Sequence, residues 1–550
     1  MIGKQGSRRL ALFAIPSIFL FIFVLLPLIM VMYSGLSADG DLSLSSYFSI
    51  FGSGYYRNVI LFTFEQAIAS VLVTLAVGLP GAYIFSNYDF RFKSQIMALS
   101  TVPFVLPSVL VVLGFVIFFG NSGVLNNFLR WALGSDGVPF GVLYSWKAII
   151  LAHTFYNIPL VFRYVSSVWG RIDDSLIEAA QNVGATRHRI FRDIELPFLY
   201  QAILSSSLLI FIYSFTSFAI VLALGGPQYA TMEVTIYTVT NFLSSFELAG
   251  ALSLLQLLFL LAVVLVYTRI DVRRMVGGKR TLRPLSSLSA PQKALAAAYS
   301  FIVALLLFSP MASIFHASVK ARAGGATSYT LEWFREIFDL GRESFIGATP
   351  IESIANSLFI AVVAMSLSVV FALMLAYFSA SDGPGGKVVG LMVMAPLCIS
   401  TITLSLGYIM IGNRFSIDIF LVAIILIHAV ISFPFSFRAI SNSLSKVDWS
   451  LIEAAQNVGA TRIRTFFSID LPLIRGGIIA AAVFSFAISL GELAAAYMLY
   501  GGRYTTIPIY IYRFIGGYRF GPAAALGVIL MAVSAASFLL IEKAGTKLQF

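Results

Sequence analysis

The stretch Ser175–Arg187 reads SLIEAAQNVGATR, and Ser450–Arg462 repeats the same thirteen residues without a change. The two copies lie 275 residues apart, which is half of the 550-residue chain. The correspondence continues outside them, because His153 matches His428 at the same offset. We therefore interpret the chain as two related halves joined end to end.

The composition is that of a membrane protein. Hydrophobic residues make up 59% of the chain and charged residues 11%, and the mean hydropathy is +0.91. A soluble domain carries about 25% charged residues and about 45–50% apolar ones. The composition excludes a soluble enzyme, a disordered chain and a fibrous protein, and it indicates a polytopic membrane protein.

Twelve apolar stretches are long enough for a transmembrane helix, which needs about 20 residues. Each half contains six, so both halves enter and leave the membrane on the same side. The sequence predicts an all-α fold of about 12 transmembrane helices in two parallel six-helix repeats. The predicted spans are 10–34, 59–85, 96–119, 148–169, 200–224, 248–268, 295–315, 354–380, 388–411, 417–437, 477–499 and 522–541.

The basic residues indicate the orientation. With both termini in the cytoplasm, 25 of the 36 Lys and Arg residues fall on the cytoplasmic side, as the positive-inside rule requires. We therefore interpret the net charge of +11 as a topology signal, and we expect no nucleic-acid partner. The first apolar stretch is longer than the core of a signal peptide, so we expect it to remain as an anchor.

These features predict three parts. Residues 1–270 form the first half, with a cytoplasmic loop at 170–199, and residues 295–550 form the second half, with the equivalent loop at 438–476. Residues 271–294, rich in Arg, Pro and Ser, form a cytoplasmic linker, which we expect to be a solvated tether near anionic lipid. The thirteen identical residues lie in the two loops, whereas the spans around them have diverged. Both loops are therefore expected to bind the same kind of partner.

Each loop has the local signals of a short surface helix. Ser175 is a plausible N-cap, with Glu178 three residues later as in a capping box, and Gly184 is a natural helix stop. The full spacing is E-A-A, three residues, G, nine residues, I, one residue, L-P. It is fulfilled by Glu178, Ala179, Ala180, Gly184, Ile194, Leu196 and Pro197, and again by Glu453, Ala454, Ala455, Gly459, Ile469, Leu471 and Pro472.

This spacing closely resembles the EAA loop of ABC importer permeases, the membrane subunits of binding-protein-dependent uptake systems. The resemblance implies a type I ABC importer permease in the bacterial inner membrane. It also implies two copies of a separate ATPase docked on the two loops, and a periplasmic or lipid-anchored solute-binding protein. The ATPase-coupling residues it implies are Glu178, Ala179, Ala180, Gly184 and Arg187 with Glu453, Ala454, Ala455, Gly459 and Arg462.

The sequence lacks a phosphate-binding loop of the form G-x-x-x-x-G-K-[ST]. We therefore expect a transport subunit that is not itself an enzyme and holds no cofactor, with ATP and Mg on the partner subunits. Fused twelve-span permeases with two EAA loops resemble the thiamine and ferric-iron branches. The stretches 217–237 and 489–519 are most similar to the thiamine permease, so thiamine or a precursor is the expected solute, with ferric iron or another small solute as the alternative.

Ionisable residues inside apolar spans normally face a bundle or a cavity, because their insertion costs about 2.5–3.5 kcal/mol. Glu65, Ser217 and Glu492 are the candidates for a solute pathway, and Glu492 could instead be a satisfied carboxyl between helices. For His153 and His428 we favour hydrogen bonds between helices. Four histidines and one cysteine give no reason to expect a metal site.

Two other transporter classes remain as alternatives. An ion-coupled secondary transporter would carry intramembrane carboxylates for coupling, of which only Glu65 and Glu492 are obvious. A channel would need no coupling motif. Neither class requires two identical cytoplasmic loops.

Overall fold

The computed structural model describes residues 12–38, 40–226, 228–269, 278, 280–323, 326–339, 348–380, 385–501 and 504–543. In this part of the chain, eleven helices are long and apolar enough to cross a membrane, which confirms the all-α polytopic class. The candidate spans are Leu12–Gly35, Gly54–Asn87, Ser108–Leu133, Trp146–Trp169, Arg187–Phe215, Phe246–Tyr267, Ala290–Val319, Pro350–Ala380, Phe420–Leu444, Phe466–Gly491 and Phe520–Ser537. The span Ser108–Leu133 includes a turn at 120–123 between the helices Ser108–Phe119 and Val124–Leu133.

The predicted ninth span at 388–411 is two helices, Gly385–Met394 and Thr401–Phe415. The chain between them forms a 3₁₀ turn that contains Pro396. Ser400 then caps the second helix, because its hydroxyl accepts two backbone hydrogen bonds at 3.1 and 3.4 Å. A hydropathy average does not detect this break, because the residues on both sides of it are apolar.

Three other predicted spans also contain a break. The stretch 96–119 is divided into Lys93–Val105 and Ser108–Phe119, with Pro107 at the junction. The stretches 200–224 and 477–499 each end in a separate short helix. These two pairs are Leu196–Phe215 with Ala219–Leu224, and Leu471–Gly491 with Ala494–Met498.

The remaining elements are short. Further helices are Ser45–Gly52, Val124–Leu133, Asp174–Asn182, Arg187–Ile190, Met232–Phe242, Glu332–Phe338, Trp449–Asn457, Arg462–Thr465 and Ile507–Gly516. Turns of 3₁₀ or π helix occur at Phe21–Leu25, Phe191–Glu195, Leu285–Ser287, Ala395–Cys398 and Phe466–Asp470. Three two-stranded ribbons are present in the described residues: Ser37–Ala38 with Asp41–Leu42, Lys320–Ala323 with Ala326–Tyr329 (both antiparallel), and Tyr88–Asp89 with Arg283–Pro284 (parallel).

The chain divides into two compact units. One contains residues 49–235 and 258–317, and the other contains the described parts of 1–48, 236–257 and 318–550. Each unit is thus built mainly from one half of the sequence but includes the first span of the other half. The repeat in the sequence does not reveal this exchange, because it reports ancestry and not contact.

Small residues bring the helices close together in the unit of the first half. A Cβ atom added to Gly78 would lie 2.7 Å from the side chain of Val161. A Cβ on Gly114 would lie 2.9 Å from the carbonyl oxygen of Pro310, which belongs to the helix Ala290–Val319. Close approach at small residues is a usual way to pack helices in a membrane.

The unit of the second half adds a polar contact in its centre. The hydroxyls of Ser368, Ser436 and Ser485 form a closed ring, with Oγ–Oγ distances of 3.0, 2.6 and 3.3 Å. The three residues come from three different helices, so the ring ties these helices together. The first span joins this unit through a hydrogen bond of 2.7 Å from the hydroxyl of Tyr408 to the carbonyl of Phe23.

The repeat is visible in equivalent hydrogen bonds within the two units. The backbone N–H of Met232 donates to the hydroxyl of Thr63 at 3.0 Å. The backbone N–H of Ile507, 275 residues later, donates to the hydroxyl of Ser357 at 2.8 Å. The same helix start is therefore anchored in the same way in both halves.

Candidate functional site

The thirteen-residue repeat folds into a short helix in each half. The first stub helix is Asp174–Asn182, and the second stub helix is Trp449–Asn457. The carboxylate of Asp173 accepts a hydrogen bond of 3.0 Å from the backbone N–H of Ser175. The side chain of Asp448 accepts the equivalent bond at 3.0 Å in the second half.

The prediction that Ser175 caps the helix and pairs with Glu178 in a capping box is therefore wrong. The helix begins at Asp174 and its cap is Asp173, two residues before the predicted cap. An aspartate caps as well as a serine does. Asp173 and Asp174 also interact favourably with the positive end of the helix dipole.

Glycine ends both helices, as the sequence predicts. Gly184 has φ of +80° and Gly459 has φ of +90°, a left-handed conformation that strains other residues. The N–H of Ala185 donates to the carbonyl of Ala180 at 3.0 Å, and the second half has the same bond between equivalent residues. The turn satisfies a carbonyl that the helix end leaves unpaired.

One face of each stub helix is buried in its own unit. Ile177 and Ile452 are only 8% exposed, and Ile177 belongs to the apolar core below the first stub helix. Ala180 and Ala455 are half-buried beside them. These residues fix the helices on the protein and leave the other face free.

The other face carries an exposed apolar stripe. In the first half it consists of Leu176, Ala179 and Val183, which are spaced i, i+3 and i+7 and so lie along one side of the helix. Val183 is 84% exposed, and Val458 at the equivalent position is 88% exposed. The second stripe consists of Leu451, Ala454 and Val458. We call these two surfaces the docking stripes.

The predicted coupling residues have different surroundings. Glu178 and Ala179 are exposed on the first stub helix. Arg187 lies just beyond it and donates a hydrogen bond to the hydroxyl of Tyr83. Glu453 lies within the second stub helix and Arg462 begins the short helix after it, but their side chains are outside what the structure describes.

A π turn links each loop to the following span, at Phe191–Glu195 and Phe466–Asp470. Such turns widen a helix by one residue and often occur at functional positions. Here each turn ends in a buried acidic residue, Glu195 or Asp470, at equivalent positions of the repeat. These turns have no separate pattern in the sequence, because their residues, FRDIE and FFSID, include no proline or glycine that would mark a break in a helix.

Part of the linker is bound to the first loop. Arg280 donates from Nη2 to Glu195 Oε1 at 2.7 Å, and both side chains are only 8% exposed. Its Nε lies 4.0 Å from Asp174 Oδ1, and the N–H of Thr281 donates to Asp174 Oδ2 at 2.6 Å. The parallel pairing of Arg283–Pro284 with Tyr88–Asp89 continues the contact. We call these contacts the linker clasp.

The linker clasp differs from the solvated tether expected from composition. Arg280 is buried because Glu195 and Asp174 compensate its charge. Residues 271–277 and 279 lie outside the described residues. A contact between segments 85 residues apart in sequence leaves no local pattern that could have predicted it.

The two embedded histidines form hydrogen bonds between helices, as we inferred. Nδ1 of His153 lies 3.0 Å from the hydroxyl of Ser70, and Nδ1 of His428 lies 2.8 Å from that of Ser489. The partner comes from the preceding long span Gly54–Asn87 in one half and from the following span in the other. The described residues contain no group of three His, Cys, Asp or Glu that could hold a metal ion.

The candidate pathway residues occupy three different environments. Ser217 and Glu492 are half-buried at equivalent helix breaks, just before the short helices Ala219–Leu224 and Ala494–Met498. Glu65 is exposed on the span Gly54–Asn87.

The Glu492 carboxylate has local partners. Its Oε1 accepts from the backbone N–H of Ala495 at 3.1 Å, and the N–H of Ala494 and the hydroxyl of Thr401 also bond to it. This arrangement matches the satisfied carboxyl that we considered as the alternative to solute contact. A solute role for Glu492 stays a prediction.

The chain matches a known family over both halves. A family model described as the binding-protein-dependent transport system inner membrane component matches residues 75–276 and 300–544. The matched ranges include both stub helices, both docking stripes and the linker up to residue 276.

Two relatives cover nearly the whole chain. The thiamine transport system permease protein ThiP of Haemophilus influenzae is 24% identical over 94% of this chain and 95% of its own length. The ferric transport system permease protein FbpB of Actinobacillus pleuropneumoniae is 26% identical over 95% of this chain and 76% of its own. A solved bacterial alginate ABC transporter, in complex with an alginate pentasaccharide-bound periplasmic protein, contains a chain that is 22% identical. That match covers 50% of this chain and 98% of the solved one, with a TM-score of 0.42.

Proposed function

Because the chain belongs to the family of binding-protein-dependent transport system inner membrane components, we propose that it is the permease subunit of an ABC importer for thiamine or a thiamine precursor. A separate ATPase dimer supplies the energy, and its two subunits dock on the two stub helices. A solute-binding protein delivers the solute to the outer face. Both chain termini lie in the cytoplasm, and this chain binds no cofactor of its own, since ATP and Mg bind to the ATPase.

The exposed docking stripes are the observation that carries the proposal. An isolated exposed apolar residue needs no explanation, but here the same three positions are exposed in both halves. Each stripe runs along a short helix and the valine directly after it. A buried isoleucine fixes the back of the helix, and a left-handed glycine fixes its end. Two identical faces suit a partner that offers the same groove twice.

Coupling is tested in proteoliposomes that contain the permease, its ATPase and its binding protein. Gly184→Val and Gly459→Val together place a β-branched residue in a left-handed conformation and should displace the ends of both stub helices. We expect uptake to fall to background while the ATPase keeps its basal, uncoupled hydrolysis. Gly134→Val is a matched control, since Gly134 also has positive φ but lies in another loop. ATP-independent uptake driven by an ion gradient would instead support a secondary transporter.

The solute is tested in the same vesicles with labelled thiamine and with ferric iron, each supplied with the binding protein. Inward, ATP-dependent accumulation of thiamine supports the proposal. Accumulation of iron without thiamine would assign the chain to the ferric branch, which the similarity to the ferric permease keeps as the second candidate. The two assays are independent, so ATP coupling can hold even where thiamine fails.

A further inference from the structure

A cavity of about 260 Å³ lies between the linker clasp and the first stub helix. A cavity needs only roughly 10–15 Å³ to hold a single water, so this one can hold a much larger group. Its wall contains three arginines from two separate segments: Arg187 beyond the stub helix, and Arg280 and Arg283 in the linker. Guanidinium groups are the side chains that best recognise phosphate and carboxylate groups, so the charge balance of this wall decides whether it can bind an anion.

The acidic residues of the wall are already engaged. Glu195 accepts from Arg280, and Asp174 accepts from the N–H of Thr281. In the part of the chain that the structure describes, Arg187 and Arg283 form no ion pair with an acidic residue. The cavity therefore holds more cationic than anionic groups, and the surplus belongs to its two exposed arginines.

Arg280 itself has unused donor capacity. Its side chain is 8% exposed, and Nη1 has no hydrogen-bond partner among the described residues. A buried guanidinium with an unpaired N–H costs free energy unless another acceptor is bound. The observation is independent of the two exposed arginines, and it also indicates an acceptor in this cavity.

Neutral donors complete the wall. Tyr83 and Tyr88 both line the cavity, and Tyr88 lies close to Tyr83, Arg187 and Arg283. The Tyr88 hydroxyl is protonated at neutral pH, since the ordinary pKa of tyrosine is about 10 and burial raises it further. Planar guanidiniums together with hydroxyl donors suit the tetrahedral oxygens of a phosphate group.

We propose that this cavity is a binding site for a phosphate group, held between Arg187 of the first loop and Arg283 of the linker. The phosphate belongs either to an anionic lipid headgroup or to a soluble phosphate ester. In both cases it joins the linker to the loop and reinforces the linker clasp. In the second half Arg462 matches Arg187, but Trp449 and Ile463 stand where the first half has Asp174 and His188, so two positions of this wall differ between the halves.

The test uses the purified full-length chain and no transport assay, so it can fail independently of the proposed function. One arm adds pyrophosphate and measures the rise in Tm, against sodium chloride of equal ionic strength. The other arm measures by native mass spectrometry how many phosphatidylglycerol or phosphatidylcholine molecules remain bound. A positive first arm identifies a soluble phosphate ester, and selective retention of phosphatidylglycerol identifies a lipid headgroup.

The variant Arg187→Ala/Arg283→Ala should weaken the binding at least about tenfold for each charge-assisted hydrogen bond that it removes. Arg189→Ala/Arg192→Ala is the matched control, because both arginines are exposed on the same loop but pair with Asp193 outside the cavity. If the first variant does not fold, Arg283→Ala alone, on the exposed linker strand, replaces it. The proposal is overturned if pyrophosphate and sodium chloride raise the Tm equally and phosphatidylglycerol and phosphatidylcholine are retained in equal numbers. Undiminished binding by the arginine variant also overturns it.

Discussion

Truncation of the docking stripes should weaken ATPase binding without destabilising the permease. Val183 is 84% exposed and Val458 is 88% exposed, so nearly the whole side chain is available to a partner. Replacing valine by alanine removes two methyl groups, each worth about 0.8 kcal/mol on burial. A single variant should lose about 1.6 kcal/mol, or roughly fifteenfold in affinity, and the double variant about 3 kcal/mol, or roughly two-hundredfold.

The assay measures the dissociation constant of the purified ATPase dimer on permease held in nanodiscs, together with the Tm of each variant. Because both valines are exposed, the Tm should stay within about a degree of the wild type. Leu42→Ala is the matched control, since Leu42 is 82% exposed but lies outside both stub helices. The reasoning is refuted if Val183→Ala/Val458→Ala binds the ATPase as tightly as the wild type. It is also refuted if Leu42→Ala weakens binding to the same extent.

Three further outcomes follow from the contacts of single side chains. Asp173→Ala removes the cap of the first stub helix, worth about 1 kcal/mol, so amide hydrogen exchange at 174–182 should accelerate roughly fivefold; unchanged exchange would contradict the cap. Ser489→Ala leaves the buried Nδ1 of His428 unpaired and should lower unfolding stability in detergent by about 1 kcal/mol, whereas equal stability would mean that the bond contributes nothing. Arg280→Ala leaves the buried carboxylate of Glu195 without its cationic partner and should destabilise the permease by about 3–5 kcal/mol. Adding Glu195→Gln should recover part of this stability, whereas no recovery would show that packing, not charge, dominates.

The sequence was sufficient for features that depend on local pattern. Apolar length locates the long helices, because a membrane helix must satisfy its backbone within itself. It fails at Pro396, where an apolar stretch is divided by a turn and a new serine cap. Proline and serine were visible there, but a hydropathy average gives them almost no weight. For the same reason the hydropathy average misses the break at Pro107 in the third predicted span.

For the stub helices, the sequence predicts where each helix ends but not which of its faces is exposed. Gly184 could be assigned as the helix stop because a left-handed residue after a helix is usually glycine. The spacing of Leu176, Ala179 and Val183 was also readable as one helical face, but the sequence cannot tell an exposed apolar face from a buried one. Only the packing of Ile177 into the core decides which face is free.

The linker clasp depends entirely on tertiary contact, and it gives the first of two stub helices with identical sequence a neighbour from outside the repeat. The docking stripes have the same residues in both halves, so a partner with two equal subunits would meet two equal faces. The residues beside the stripes differ between the halves. Arg280 pairs with Glu195 and Asp174 in the first half, whereas Trp449 stands at the position of Asp174 in the second half. A buried ion pair adds little net stability but is costly to break, so it holds the linker in one position against the first loop. The thirteen identical residues therefore do not by themselves determine the surroundings of a stub helix, because the contacts of Arg280 involve residues outside the repeat.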